Sequence, residues 1–289
     1  MENAGMKIGF IGLGVMGRPM ASHLIAAGHE VFLHRVKDVS QHLVEAGGKP
    51  LDSARAVAEA ADIVILMVPD TPDVEKVLFG EEGVAEGISA GKLVIDMSSI
   101  SPVATKTFAN RIAELGAGYV DAPVSGGEVG AKAASLTIMV GAAEADFGRA
   151  LPLFQLMGKN ITRIGNVGDG QTAKVVNQVI VGLTIEAVAE GLTLAKAAGA
   201  DPAKIREALM GGFASSRILE VHGERMIAET FDPGFRIRLH RKDIGLAMEA
   251  AKSLELYLPN SAGLQQLMNK AVADGLGDKD HSALIENLR

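Results

Sequence analysis

The residues best suited to chemistry are Lys174, Asn177 and Gln178, in the run G-D-G-Q-T-A-K-V-V-N-Q that starts at Gly168. Side chains three and four positions apart on a helix share one face. A helix here would therefore line up an ammonium and two amides. The sequence predicts such a helix over 171–198, where no proline intervenes and most positions are apolar or small. At 1.5 Å per residue it would be roughly 42 Å long. Being apolar nearly all round, it should be buried on most sides. Lys174 is badly placed for a structural residue, because the positive end of the macrodipole opposes a cation there. Its neighbours Val175, Val176, Val179 and Ile180 predict a core, and both effects lower a lysine pKa. Position alone leaves two readings, a lysine snorkelling out of the helix end or a catalytic or anion-binding amine.

The second constellation is Gly12-Leu13-Gly14-Val15-Met16-Gly17, a G-x-G-x-x-G between a predicted strand at 7–11 and a predicted helix at 16–27. In that context the first glycine makes the tight turn and the second lets the backbone approach a pyrophosphate. The third lets helix and strand pack closely. The same glycines without a ligand would be only a Gly-rich turn. The next strand, 30–34, ends in His34-Arg35-Val36-Lys37, with no acid before Asp38. An acid there would hold the ribose 2′-hydroxyl of NAD. His34, Arg35 and Lys37 suit a 2′-phosphate instead, so NADP(H) is expected in preference to NAD(H).

Further candidates fall at the ends of predicted strands. Val68-Pro69-Asp70-Thr71-Pro72 follows the strand 63–67, and Ser98-Ser99 follows 93–96. Ser125-Gly126-Gly127 follows 119–121. In open α/β sheets the ligand crevice lies outside such carboxyl ends. Ser99 reads either as a cofactor contact or as a loop cap. Ser125, Gly126 and Gly127 offer a hydroxyl and bare backbone N–H groups, which suit a carboxylate; the alternative is a plain tight turn.

These positions need a scaffold, and the hydropathy pattern supplies one. Strands and helices alternate from residue 7 to 164, which predicts a doubly wound parallel sheet of the Rossmann type. After Ala198 no further strand is convincing, and helices are predicted at 202–210, 216–228, 238–254, 260–273 and 282–288. The expected class is therefore α/β: a Rossmann domain over 1–166, then an all-α domain over 167–289 that begins with the long interdomain helix.

Composition narrows the function classes. The 289 residues carry a formal net charge of −7, no cysteine and no tryptophan, and are 48% hydrophobic. No basic face suggests nucleic acid, and no thiolate metal site or disulfide is possible. The histidines are scattered, with His23, His29 and His42 expected at the surface, so no metal site is expected. The short polar stretch before Lys7 does not read as a signal peptide. A cytoplasmic protein without a membrane partner is the default expectation. A long apolar helix is hard to cover with one small domain, so a homodimer or homotetramer is expected.

Taken together, G-F-I-G-L-G-V-M-G-R-P-M-A (9–21), D-M-S-S-I-S-P (96–102), D-A-P-V-S-G-G (121–127), G-D-G-Q-T-A-K-V-V-N-Q (168–178) and K-D-I-G-L-A (242–247) resemble the β-hydroxyacid dehydrogenase family across essentially the whole chain. The resemblance implies Lys174 as the catalytic lysine and Asn177 as an orienter of substrate. It implies Ser125, Gly126 and Gly127 as the carboxylate segment, Ser99 as a cofactor contact, and Lys242 as a lysine near the nicotinamide end. The implied activity is reduction of a small semialdehyde acid to a 3-hydroxy acid. Segments 211–216, 231–240 and 273–284 are most similar to those of members acting on tartronate semialdehyde. Substrates of the 3-hydroxyisobutyrate dehydrogenases, succinic semialdehyde and glyoxylate stay open. A rival from another class is a non-catalytic dinucleotide-binding module on the same fold.

Overall fold

The computed structural model describes residues 5–288; of the polar stretch before Lys7, residues 1–4 lie outside the described part, as does residue 289. The chain divides into two compact units, the first ending at Lys174 and the second beginning at Val175.

Among the described residues, the first unit is built on nine strands: β1 (Lys7–Ile11), β2 (Glu30–His34), β3 (Lys49–Leu51), β4 (Ile63–Leu66), β5 (Leu93–Asp96), β6 (Gly118–Asp121), β7 (Val124–Ser125), β8 (Leu136–Gly141) and β9 (Gly158–Gly165). Their spatial order is β3-β2-β1-β4-β5-β6-β8-β7, with β9 also paired to β8. From β3 to β6 every pairing is parallel. Beyond β6 the sheet is mixed, since β8 runs antiparallel to both β6 and β7. The sequence reading did not anticipate this reversal, nor the short strands β3 and β7, which lack a long apolar run.

Strands covered on both faces read as continuous apolar runs, and the core shows why. Ile8, Phe10, Ile63, Ile65, Leu93, Ile95 and Val120 belong to one buried cluster. The intervening Ile11, Val64, Leu66, Val94 and Tyr119 belong to another. Alternation along each strand therefore feeds two cores, one on each face of the sheet.

Register is what positions the site. Ile11 pairs with His34 and with Leu66, Leu66 with Asp96, and Asp96 with Asp121. The chain leaves β1, β2, β4, β5 and β6 at one edge, so the segments after residues 11, 34, 66, 96 and 121 share that edge.

The second unit is helical: Pro202–Leu209, Arg217–Ala228, Ile237–Ser253 and Pro259–Ala273, closed by a 3-10 segment His281–Leu288 where an α-helix was expected. Asp201 and Ser216 cap their helices through side-chain oxygens. The core gathers Ile185, Leu192, Met226, Ile237, Ile244, Leu264, Met268 and Ile285.

The long helix spans Asp169–Ala197. It is less buried than its composition predicts: Val176, Ile180 and Leu194 are 52%, 61% and 71% exposed. The expectation of burial on most sides thus fails within a single chain. Length and composition alone would let this helix cross a membrane, yet Ile185, Ala189 and Leu192 are core residues of the second unit.

Candidate active site

The turn after β1 has the geometry of a dinucleotide cradle. Gly12 has φ +104°, and a Cβ there would lie 2.2 Å from the Met67 carbonyl oxygen. A Cβ on Gly17 would lie 1.9 Å from the Gly12 carbonyl oxygen, so the helix Gly17–Ala26 packs tightly on its own turn. A Cβ on Gly14 would meet nothing within 4 Å. The protein's own packing does not require that glycine; close approach of its backbone to a pyrophosphate would. Val15 stands beside it, 44% exposed, with Leu13 and Met16 half-buried. The cradle therefore fits a pyrophosphate at a helix N-terminus.

At the end of β2, Arg35 turns the chain with φ +57°. Its side chain and that of Lys37 are exposed. His34 is half-buried, with Nδ1 3.3 Å from the Leu51 carbonyl oxygen. The two flexible cations are thus presented to solvent while the imidazole is tied to β3.

The segment after β4 is fixed by the segment after β5. The Val68 N–H donates to Ser98 Oγ at 3.0 Å, and the Ser98 N–H donates to Asp96 Oδ1 at 2.9 Å. Tyr119 Oη donates to Asp96 Oδ2 at 3.2 Å. Ser98 is thereby committed to structure; its neighbour Ser99 is half-buried and Pro69 is exposed. After β6, Ser125 lies in β7 opposite Thr137. Gly126 (φ +132°) and Gly127 (φ +60°) then adopt conformations that side chains disfavour, at the start of the helix Gly127–Lys132. Their N–H groups lie at a helix N-terminus, where donors lack intrahelical partners.

Lys174 is buried, at 7% exposure, in the second turn of the long helix. The snorkelling reading does not describe a side chain this covered. Along the same helix, Asn177 Nδ2 donates to Gln178 Oε1 at 2.8 Å, and Gln178 Nε2 donates to Asp243 Oδ2 at 2.5 Å. Lys242 Nζ lies 3.0 Å from Asp243 Oδ1. The second unit thus joins Asn177 and Lys242 through Gln178 and Asp243. Sequence reasoning missed Asp243 as a linker, although it directly follows Lys242. It also missed Gln171, which is fully buried, and Asp121.

The histidines are less scattered in space than in sequence. His240 Nε2 is 3.0 Å from the Gln178 carbonyl oxygen, so that nitrogen carries the proton. His240 Nδ1 then accepts from His281 Nδ1 at 3.0 Å, and His281 Nε2 from His222 Nε2 at 3.2 Å. Burial holds His281 well below the usual histidine range, in keeping with a neutral ring in mid-chain. His222, Asp280 and His281 form the one group among the described residues close enough for a shared cation. Asp280 is already engaged by Arg225 at 2.9 Å, by the N–H groups of Gly234, Phe235 and Ser282, and by the Ser282 hydroxyl. The group therefore works as a hydrogen-bonded brace. His23 and His29 are half-buried and bonded, to the Ala131 carbonyl and the Met6 N–H, rather than lying free on the surface.

Known proteins place this arrangement. Residues 7–165 match the family profile of the NAD binding domain of 6-phosphogluconate dehydrogenase. Residues 168–288 match that of the NAD-binding region of NADP-dependent 3-hydroxyisobutyrate dehydrogenase. A Rossmann sheet with this cradle, followed by that helical unit, defines an NAD(P)-dependent oxidoreductase. The 2-hydroxy-3-oxopropionate reductase of Escherichia coli (strain K12) is 58% identical, over 98% of this chain and 97% of its own length. The 2-(hydroxymethyl)glutarate dehydrogenase of Eubacterium barkeri is 40% identical, over 97% and 94%. A solved 3-hydroxyisobutyrate dehydrogenase of Mycobacterium tuberculosis, with L-serine, superposes with a TM-score of 0.91 at 32% identity, covering 99% of both chains. The chain belongs to the β-hydroxyacid dehydrogenase family, among the relatives of 3-hydroxyisobutyrate dehydrogenase.

Proposed function

We propose that this enzyme reduces a small semialdehyde acid, tartronate semialdehyde (2-hydroxy-3-oxopropanoate) first among them, to the 3-hydroxy acid D-glycerate, with NADP(H) preferred over NAD(H). The observation that carries the reading is the buried Lys174 side chain near the start of the long helix. The 58% identity to a 2-hydroxy-3-oxopropionate reductase supports the choice of substrate.

The bound dinucleotide supplies hydride to the aldehyde carbon, and that chemistry is its own. The protein's task is the oxygen, which gains negative charge as the hydride arrives. Lys174, as ammonium, stabilises that charge and donates the proton as general acid; in the reverse direction the neutral amine accepts it. Ser125 and the N–H groups of Gly126 and Gly127 hold the substrate carboxylate, and Asn177 orients the substrate. Gly12, Leu13, Gly14, Val15, Met16 and Gly17 hold the pyrophosphate, with Val68, Pro69 and Ser99 lining the cofactor. Arg35 and Lys37 take the 2′-phosphate, with His34 as the fixed edge of that site. Lys242, set by Asp243, serves the nicotinamide end.

The exposed apolar residues Val176, Ile180 and Leu194 on the long helix support a homodimer or homotetramer. The protein acts in the cytoplasm on a small molecule, with no nucleic-acid or membrane partner. A second reading, 3-hydroxyisobutyrate dehydrogenase, draws on the solved structure at TM-score 0.91. Its substrate differs mainly in methyl against hydroxyl. A pocket with a placed polar partner for that hydroxyl discriminates strongly.

One assay tests these points together. NADPH and NADH oxidation are followed with tartronate, methylmalonate and succinic semialdehydes and with glyoxylate. The highest kcat/KM is expected for tartronate semialdehyde with NADPH. Lys174→Ala should lower kcat by at least about 10²-fold while NADPH binding holds within about threefold. Retained turnover in that variant would remove the lysine from the mechanism.

A further inference from the structure

We infer that Gln171 and Asp121 are positioning residues for Lys174: together they lock the first turn of the long helix onto the strand ends and so fix where the ammonium sits. The inference rests on the reading of Lys174 as the proton donor. Both side chains are fully buried, and neither belongs to the set of groups assigned to substrate or cofactor.

Gln171 grips the segment after β5 on both sides of Ser99. Its Oε1 accepts the Ile100 N–H at 3.1 Å, and its Nε2 donates to the Ser98 carbonyl oxygen at 2.7 Å. Asp121, the last residue of β6, holds the helix start from the other direction. Its Oδ1 accepts the Gly168 N–H at 2.7 Å, and its Oδ2 accepts the Gln171 N–H at 2.8 Å. These are helix-terminal donors without intrahelical partners, and an anion suits the positive end of the macrodipole.

Packing removes the remaining slack. A Cβ on Gly170 would come within 2.8 Å of Met139 O, Gly141 N and Asp121 O. One on Gly141 would come within 2.8 Å of Asp121 Oδ1, Asn166 O and Gly170 N. The helix start and the ends of β6 and β8 are thus in backbone contact. Ser98 is itself tied to Val68 and Asp96, so the grip of Gln171 ends on a fixed support.

Lys174 follows Gln171 by three residues, on the same side of the helix. A rotation or a slide of the first turn would therefore carry the ammonium with it. Misplacing a catalytic group by about 1 Å costs on the order of 10²-fold in rate. Four hydrogen bonds that hold the helix start to Ser98, Ile100 and the end of β6 place the proton donor relative to the cofactor segment.

A double-mutant cycle separates this role from simple stabilisation. Single-turnover NADPH oxidation is measured for wild type, Gln171→Met, Lys174→Ala and the double variant, with NADPH affinity and thermal stability alongside. Gln171→Met keeps length and apolar packing but loses both bonds. It is expected to slow the wild-type rate about 10- to 100-fold, with NADPH Kd changed less than about threefold. In the Lys174→Ala background it is expected to slow the residual rate less than about twofold. Should Gln171→Met fold poorly, Asp121→Asn is run through the same cycle, with the same pattern expected. An equal slowing in both backgrounds would overturn the inference, because the residue would then act without Lys174; so would an unchanged rate in the single variant. Wild-type activity in Lys174→Ala alone is a distinct outcome, which overturns the assignment of the proton donor and this inference with it.

Discussion

Among single residues, Asp121 makes the sharpest prediction. Burial pushes its carboxyl up to about 7 and the nearby Asp96 adds to this, against the opposing N–H bonds from Gly168 and Gln171. Its folded pKa lies above its unfolded value, so the folded state holds the extra proton between about pH 4 and about pH 7. The stability this group contributes is present at the acid end of that window and lost as pH rises through it. His281 works in the opposite sense: burial depresses its folded pKa, so its contribution is lost as pH falls below the ordinary 6.5. A difference between two proteins that share His281 cancels that term. Asp121→Asn should therefore gain on the wild type by about 1.4 kcal/mol per pH unit across the window, whatever its offset from lost bonds. Urea unfolding at several pH values checks this, and parallel stability curves would show that Asp121 titrates as an ordinary carboxylate.

Among elements, the cradle after β1 separates what glycine does for the fold from what it does for the ligand. A methyl on Gly14 meets no protein atom within 4 Å, whereas one on Gly17 runs into the Gly12 carbonyl at 1.9 Å. Gly14→Ala should leave the melting temperature within about 2 °C yet weaken NADPH binding at least about tenfold. Gly17→Ala should lose stability as well as binding, since helix and turn must separate. Calorimetry with fluorescence titration of NADPH distinguishes the two, and equal stability losses would contradict the assignment. The cradle was legible because a fixed glycine spacing between strand and helix has few structural solutions. The linkers Gln171, Gln178 and Asp243 were not: a glutamine or an aspartate in a helix reads as surface until the neighbouring backbone is known.

For the whole molecule, the prediction concerns the long helix. Its apolar composition exceeds what one chain covers, leaving Ile180 61% exposed and Leu194 71% exposed. Contiguous exposed apolar surface accompanies interaction sites, and we propose a second copy of the chain as the occupant of this one. Light scattering of the wild type should give a dimer or tetramer of the 30.1 kDa chain. Ile180→Glu should shift the assembly toward monomer, because a carboxylate in an apolar interface keeps its desolvation cost. A wild-type monomer would contradict the proposal.

The sequence by itself determined the class of fold and the dinucleotide cradle, and it singled out Lys174 as a candidate. These rest on local signals: hydropathy period, glycine spacing, and a cation in a helix turn that disfavours it. Tertiary structure alone decided how the helix start before that lysine is held. The register that brings Asp96 beside Asp121 places a buried carboxylate under the helix start, and residues 71 to 73 positions apart meet where Gln171 grips Ser98 and Ile100. The histidine brace likewise joins residues 41 and 59 positions apart. No periodicity encodes such pairs; they follow from which strand lies beside which, and from backbone groups that must find partners once water is excluded.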